Sequence, residues 1–137
     1  MTSALRWCSP ALLLAIAVLP PPARAQTSAA AAWSAFPAAR LTSALRELAA
    51  AQACYRETRG SYAGSVAPLR FPSDPGVRLE ITAASATGWQ ARAAHQSRPG
   101  RSCVIFVGRV DGVDSPRTDG DGEMAGEDGV PLCDRMR

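Results

Sequence analysis

The stretch GWQARAAHQSRPGRSCVIFVG, residues 88–108, holds two runs of strand character joined by a turn. In the first run Trp89, Ala91, Ala93 and His95 alternate onto one face, as in a strand that buries one side. QSRPGR carries the turn pair Pro99 and Gly100. CVIFVG is more fully apolar and reads as the next strand. Upstream, VRLEIT (77–82) alternates as well, with Val77, Leu79 and Ile81 on one face and Arg78, Glu80 and Thr82 on the other. Residues 83–88 read as the turn between them. Three strands at such short spacing predict an antiparallel meander with one apolar face in need of a cover.

A helix supplies that cover. From Pro37, a residue tolerated in a first helical turn, the chain reads AARLTSALRELAAAQACYRET. Leu41, Leu45, Leu48, Gln52 and Tyr55 recur three and four apart, so an amphipathic helix is expected over residues 38–58. Gly60 is placed to end it, with Arg56 and Arg59 near the negative helix terminus. An isolated helix of this length is marginal in water, so its stripe must pack on the sheet. GSYAGSVAPLRFPSDPG is a connecting loop that Leu69 and Phe71 would pin to the core. The expected fold class is α+β: one amphipathic N-terminal helix on a small antiparallel sheet of three to four strands.

The two ends of the chain read differently. Residues 1–25 combine an arginine, the short apolar run ALLLAIAVL, three prolines and a small-x-small pattern at Ala23 and Ala25. This is the pattern of a secretory signal peptide cleaved before Gln26. Its apolar run is roughly half of what spans a bilayer, so no transmembrane segment is expected in the mature chain. Residues 26–37 are a loose leader, and 38–137 form a single domain. At the other end, residues 109–129 hold four Asp-Gly pairs and almost no large apolar side chain, the composition of an acidic, glycine-rich loop without a core of its own.

Charge follows the same division. Every one of the 15 basic residues is an arginine. Residues 40–109 carry ten arginines and four acids, and residues 110–137 carry three arginines and eight acids. A compact fold would let the two parts face each other, or would show separate basic and acidic surfaces to neighbours. The arginines are scattered and the chain is exported, which argues against nucleic acid as a partner.

Three cysteines, Cys54, Cys103 and Cys133, follow the cleavage site. An oxidising compartment favours pairing, and an odd number leaves one thiol over. A Cys103–Cys133 bridge would close a loop of about thirty residues and contribute ~3–4 kcal/mol by loop-closure entropy. The spacing has no CxxC pair, so a zinc site is not expected. His95 is the one histidine, and it needs a nucleophile, a carboxylate or a metal partner before it can do chemistry. The plainer reading is a strand-end histidine packed into its surroundings; a dyad would require the helix to bring Cys54 up as a free thiolate. Asp119, Asp121 and Glu123 alternate as hard oxygen ligands would, and are the candidates for Ca²⁺. Met124 stands where an EF-hand loop counted from Asp119 has its glycine, so a plain acidic surface loop is the simpler reading. Trp33 with Phe36, and Gly88 with Trp89, suit packing better than sugar stacking. No catalytic set emerges.

The order of these features resembles the globular part of type IV pilins and pseudopilins. Ala51-Gln52, Tyr55, Gly60 and Tyr62 match that family's helix-exit pattern. Gly88-Trp89, Ala91, Ala93 and His95 match its sheet motif, and Cys103 with Cys133 match its disulfide positions. The resemblance covers about residues 38–137. It implies a pilin-like sheet with a disulfide-closed C-terminal loop, Tyr55, Tyr62, Trp89 and His95 as packing residues, and a secreted or periplasmic structural or interaction protein rather than an enzyme. The implied partners are other envelope or secreted proteins, among them pilus or secretion-system components. Some relatives hold Ca²⁺ in the C-terminal loop, which gives the alternative of a small binding module with a Ca²⁺-stabilised loop. Pilins begin with a short basic leader ended by glycine, then a phenylalanine-led apolar helix with glutamate at its fifth position. Here QTSAAAAWSAF follows the Ala-x-Ala site, so filament assembly by the usual route is not expected.

Overall fold

In the computed structural model, residues 37–72 and 74–136 are described. The expected signal peptide, the leader up to residue 36, and Trp33 and Phe36 lie outside them. Helix α1 spans Pro37–Arg59. It is followed by strands β1 (Val77–Ala84), β2 (Gly88–His95), β3 (Ser102–Gly108) and β4 (Leu132–Cys133). The sheet order is β1-β2-β3-β4, and each neighbouring pair is antiparallel. The α+β arrangement read from the sequence is the one present.

The helical stripe is buried as its period requires. Leu41, Leu45, Leu48 and Gln52 are fully enclosed, and Ala44 nearly so. Each leucine contributes about 1.5–3 kcal/mol by leaving water. The helix stops where Gly60 takes φ +77°, a left-handed conformation that glycine adopts without penalty, and the Gly60 N–H bonds the Arg56 carbonyl at 2.8 Å. Beneath the stripe lie Trp89, Ala91, Ala93, Cys103 and Ile105. Register aligns them: Ala91 faces Ile81 on β1 and Ile105 on β3, and Ala93 faces Leu79 and Cys103. Leu69 and Phe71 pack on this core from the connecting loop, as expected.

Two details depart from the sequence reading. Strand β1 does not end at residue 82. A bulge between Ile81 and Ala83 takes up Thr82, and pairing continues to Ala84 opposite Trp89. Alternation is lost where a residue is inserted, which made residues 83 and 84 read as turn. The second departure is at the cysteines. Three cysteines after the cleavage site would leave one thiol over, yet no cysteine among the described residues is free.

Cys103 and Cys133 are directly opposed on β3 and β4 and form a disulfide, thirty residues apart in the chain. The bridge fastens the short β4 to the sheet and closes the C-terminal segment, with the ~3–4 kcal/mol contribution expected for a loop of that size. Among the described residues, no helix is long and apolar enough to cross a membrane.

Candidate functional site

Helix α1 covers one face of the sheet; the acidic C-terminal segment covers part of the other. Gln90, Arg92, Ser102, Val104 and Phe106 point away from the helix by alternation, yet Val104 is 1% exposed. The segment reaches this face by backbone bonds and ion pairs rather than by an apolar core. Gln90 Nε2 donates to the Asp114 carbonyl at 2.7 Å, and the Asp119 N–H donates to Ser102 Oγ at 2.9 Å. Residues 116–125 form a small hairpin, with a bridge between Arg117 and Met124 and the Thr118 N–H bonded to the Glu123 carbonyl. Further on, the Gly129 N–H meets the Phe106 carbonyl and Asp128 accepts from the Gly108 N–H, so the chain runs back along the outer edge of β3.

Asp134 holds this segment in place. Its side chain is buried, with Oδ2 accepting the backbone N–H groups of Ser102 and Gly120 at 2.8 Å and Oδ1 accepting that of Asp121 at 2.6 Å. Burial alone would push the carboxyl up. The N–H of Asp121, the Thr118 hydroxyl and the N–H groups of Gly120 and Ser102 outweigh it and bring the pKa down to about 2. One carboxylate thus ties β3 to the hairpin tip. It follows Cys133 directly, so the disulfide and the carboxylate fix adjacent residues. Sequence reading missed Asp134, because a single acid in an acidic segment gives no signal until its three amide donors converge from 102, 120 and 121.

The three calcium candidates are each turned to an arginine. Asp119 accepts from Arg92 at 2.9 Å, Asp121 from Arg101 at 2.9 Å, and Glu123 lies 3.8 Å from Arg135. The Arg135 backbone N–H, and after it Arg101, holds the Asp121 carboxyl below its ordinary range. Asp119, and then Glu80, raises the pKa of Arg92 further. Among the described residues, no group of three or more histidine, cysteine or acidic side chains is placed to hold a metal ion. The basic and acidic parts of the chain do face each other, through Arg92 and Arg101.

His95 ends β2 on the helix side, level with the first turns of α1. Arg40 Nη1 stands 3.2 Å from its Nε2, and Ser97 Oγ stands 2.6 Å from its Nδ1. A guanidinium only donates, and the Ser97 backbone N–H donates to Nδ1 at 3.1 Å, so both ring nitrogens face N–H donors. The nearby Asp74 is bonded by Arg40, through Nε at 3.0 Å and through Nη2, and not by the imidazole. Cys54 lies fourteen residues past Arg40 on the same helix, about 20 Å along its axis, so no Cys54–His95 dyad forms. An open depression of about 450 Å³ beside His95 is lined by Arg78, Arg92, Gln96, Pro99 and Asp119.

The aromatic residues pack. Trp89 is 1% exposed, which removes it as a stacking platform, and its ring lies 6.4 Å from that of Tyr62 at a tilt of 52°. Arg56 covers Tyr62 and Arg59 covers Tyr55, each within cation–π range. Gln52 has a role its place in the stripe does not reveal. Its amide donates to the Ala63 carbonyl at 2.9 Å and accepts the Ala63 N–H at 2.8 Å, locking the helix exit. The chain matches no protein-family model and no curated protein.

Proposed function

We propose that this chain is a non-enzymatic, pilin-like structural or interaction domain that works outside the cytoplasm. The reading rests on the resemblance in the order of features and on one structural observation: a helix-backed meander whose C-terminal segment is stapled by Cys103–Cys133 and clamped by Asp134. Such a segment is a surface of fixed shape, which suits recognition of another protein better than turnover of a small molecule. The disulfide fits an oxidising compartment, and the signal-like residues 1–25 fit export into one. The partners are envelope or secreted proteins, with pilus and secretion-system components foremost. In-cell crosslinking of the exported, tagged chain tests this: specific adducts with such components support it. If the chain is recovered from the cytoplasm, or forms no envelope adduct, the reading is overturned.

A further inference from the structure

The two sides of the sheet end differently. Beyond β3 the edge is taken up by β4 and by the bonds from Gly129 and Asp134. Beyond β1 no strand follows among the described residues. The bond from the Gln96 N–H to the Gly76 carbonyl sets the parity of β1: residues 76, 78 and 80 turn their backbone groups toward β2. Val77, Leu79 and Ile81 therefore point theirs outward. Among the described residues the Val77 N–H bonds the Asp74 carbonyl, and nothing bonds the outward groups of Leu79 and Ile81. Their side chains are half-buried, whereas Ala91 and Ala93 across from them are fully buried. The edge carries no proline, and its bulge lies beyond Ile81, leaving 77–81 regular.

We propose that this edge pairs with the same edge of a second copy, antiparallel about a twofold axis through Leu79. Only registers that place outward-pointing residues opposite one another make hydrogen bonds. A twofold through residue 78 would set Arg78 against Arg78, and one through residue 80 would set Glu80 against Glu80. Centring on Leu79 sets Leu79 against Leu79 and Val77 against Ile81. It also sets Arg78 against Glu80 twice, at the non-hydrogen-bonded positions where side chains come closest. Arg78 makes no ion pair or hydrogen bond to any described residue, and Glu80 uses one oxygen, Oε2, on Arg92 while its side chain stays 54% exposed. Backbone parity admits all three registers, and charge selects the one centred on Leu79. The dimer carries one continuous sheet across the axis, and it stands or falls independently of the functional reading above.

Sedimentation equilibrium of the exported full-length product, from about 1 µM to 1 mM, gives the first test, since a five-residue strand pair makes a small interface. A concentration-dependent dimer is expected; a monomer throughout overturns the proposal. Arg78→Glu and Glu80→Arg should each weaken self-association by about tenfold or more, because both cross-axis pairs become like-charged. An equimolar mixture of the two variants should restore dimers, since each heterodimer regains two opposite-charge pairs. Dimers insensitive to Arg78→Glu, or a mixture that stays monomeric, count against it. Because Glu80→Arg also meets Arg92, Leu79→Cys provides a second route. The axis brings the two Cα atoms to about 5.5 Å, within disulfide range. Oxidation should yield a covalent dimer at position 79 and none with Thr82→Cys; the reverse result refutes the register.

Discussion

Replacing Asp134 by asparagine tests the clamp that shapes the C-terminal segment. The carboxylate accepts three backbone N–H groups and the Thr118 hydroxyl. An amide of the same size presents one oxygen and turns an NH₂ toward donors, so at least one buried N–H loses its partner. The expected loss at pH 7 is about 2–4 kcal/mol, or roughly 10–20 °C in melting temperature for a domain of this size. The pH dependence gives an independent figure. The folded pKa of about 2 lies below the ordinary 3.8, and that difference corresponds to about 2 kcal/mol. A depressed carboxyl contributes this stability above pH 4 and loses it as the pH falls from 4 through 2. Denaturant titrations with the disulfide intact, from pH 7 to pH 2, should show that decline in the parent protein. Asp134→Asn should start lower and decline less, keeping the part owed to Asp121, whose carboxyl is also held down. If the variant stays within about 0.5 kcal/mol at pH 7 with an unchanged acid limb, the clamp is not what holds the segment.

Three further outcomes follow from particular contacts. Gly88→Ala should destabilise the domain by roughly 3 kcal/mol in thermal melts, because a Cβ there would sit 2.4 Å from the Arg109 backbone nitrogen. Gln52→Leu keeps the shape but strips both bonds from Ala63; a loss of about 2–4 kcal/mol and faster hydrogen exchange at the Ala63 amide are expected. Millimolar Ca²⁺ should leave the melting temperature unchanged, because Asp119, Asp121 and Glu123 each face an arginine. A saturable rise in calorimetry would show the ion displacing those arginines.

Everything with a period or a punctuation mark is legible in the residues alone. The three-and-four spacing of Leu41, Leu45 and Leu48 placed the helix and its buried stripe, and Gly60 placed its end. Alternation over 77–81 and 89–95 assigned both strands and the side of the sheet that meets the helix. Where alternation breaks, at the Thr82 bulge, the reading stopped two residues short. Burial of Trp89 was legible because a large apolar ring on an alternating face has one place to go. The tertiary structure alone decided the C-terminal segment. Its acids and glycines repeat without a period, so nothing local tells Asp134, enclosed by three amides from two places in the chain, from Asp119 or Asp121 at the hairpin tip. It also decided that the candidate calcium ligands meet Arg92, Arg101 and Arg135, and that His95 faces Arg40. Charges separated by tens of residues find one another only after the helix and sheet fix the chain, because their attraction in water is too weak to specify a fold on its own.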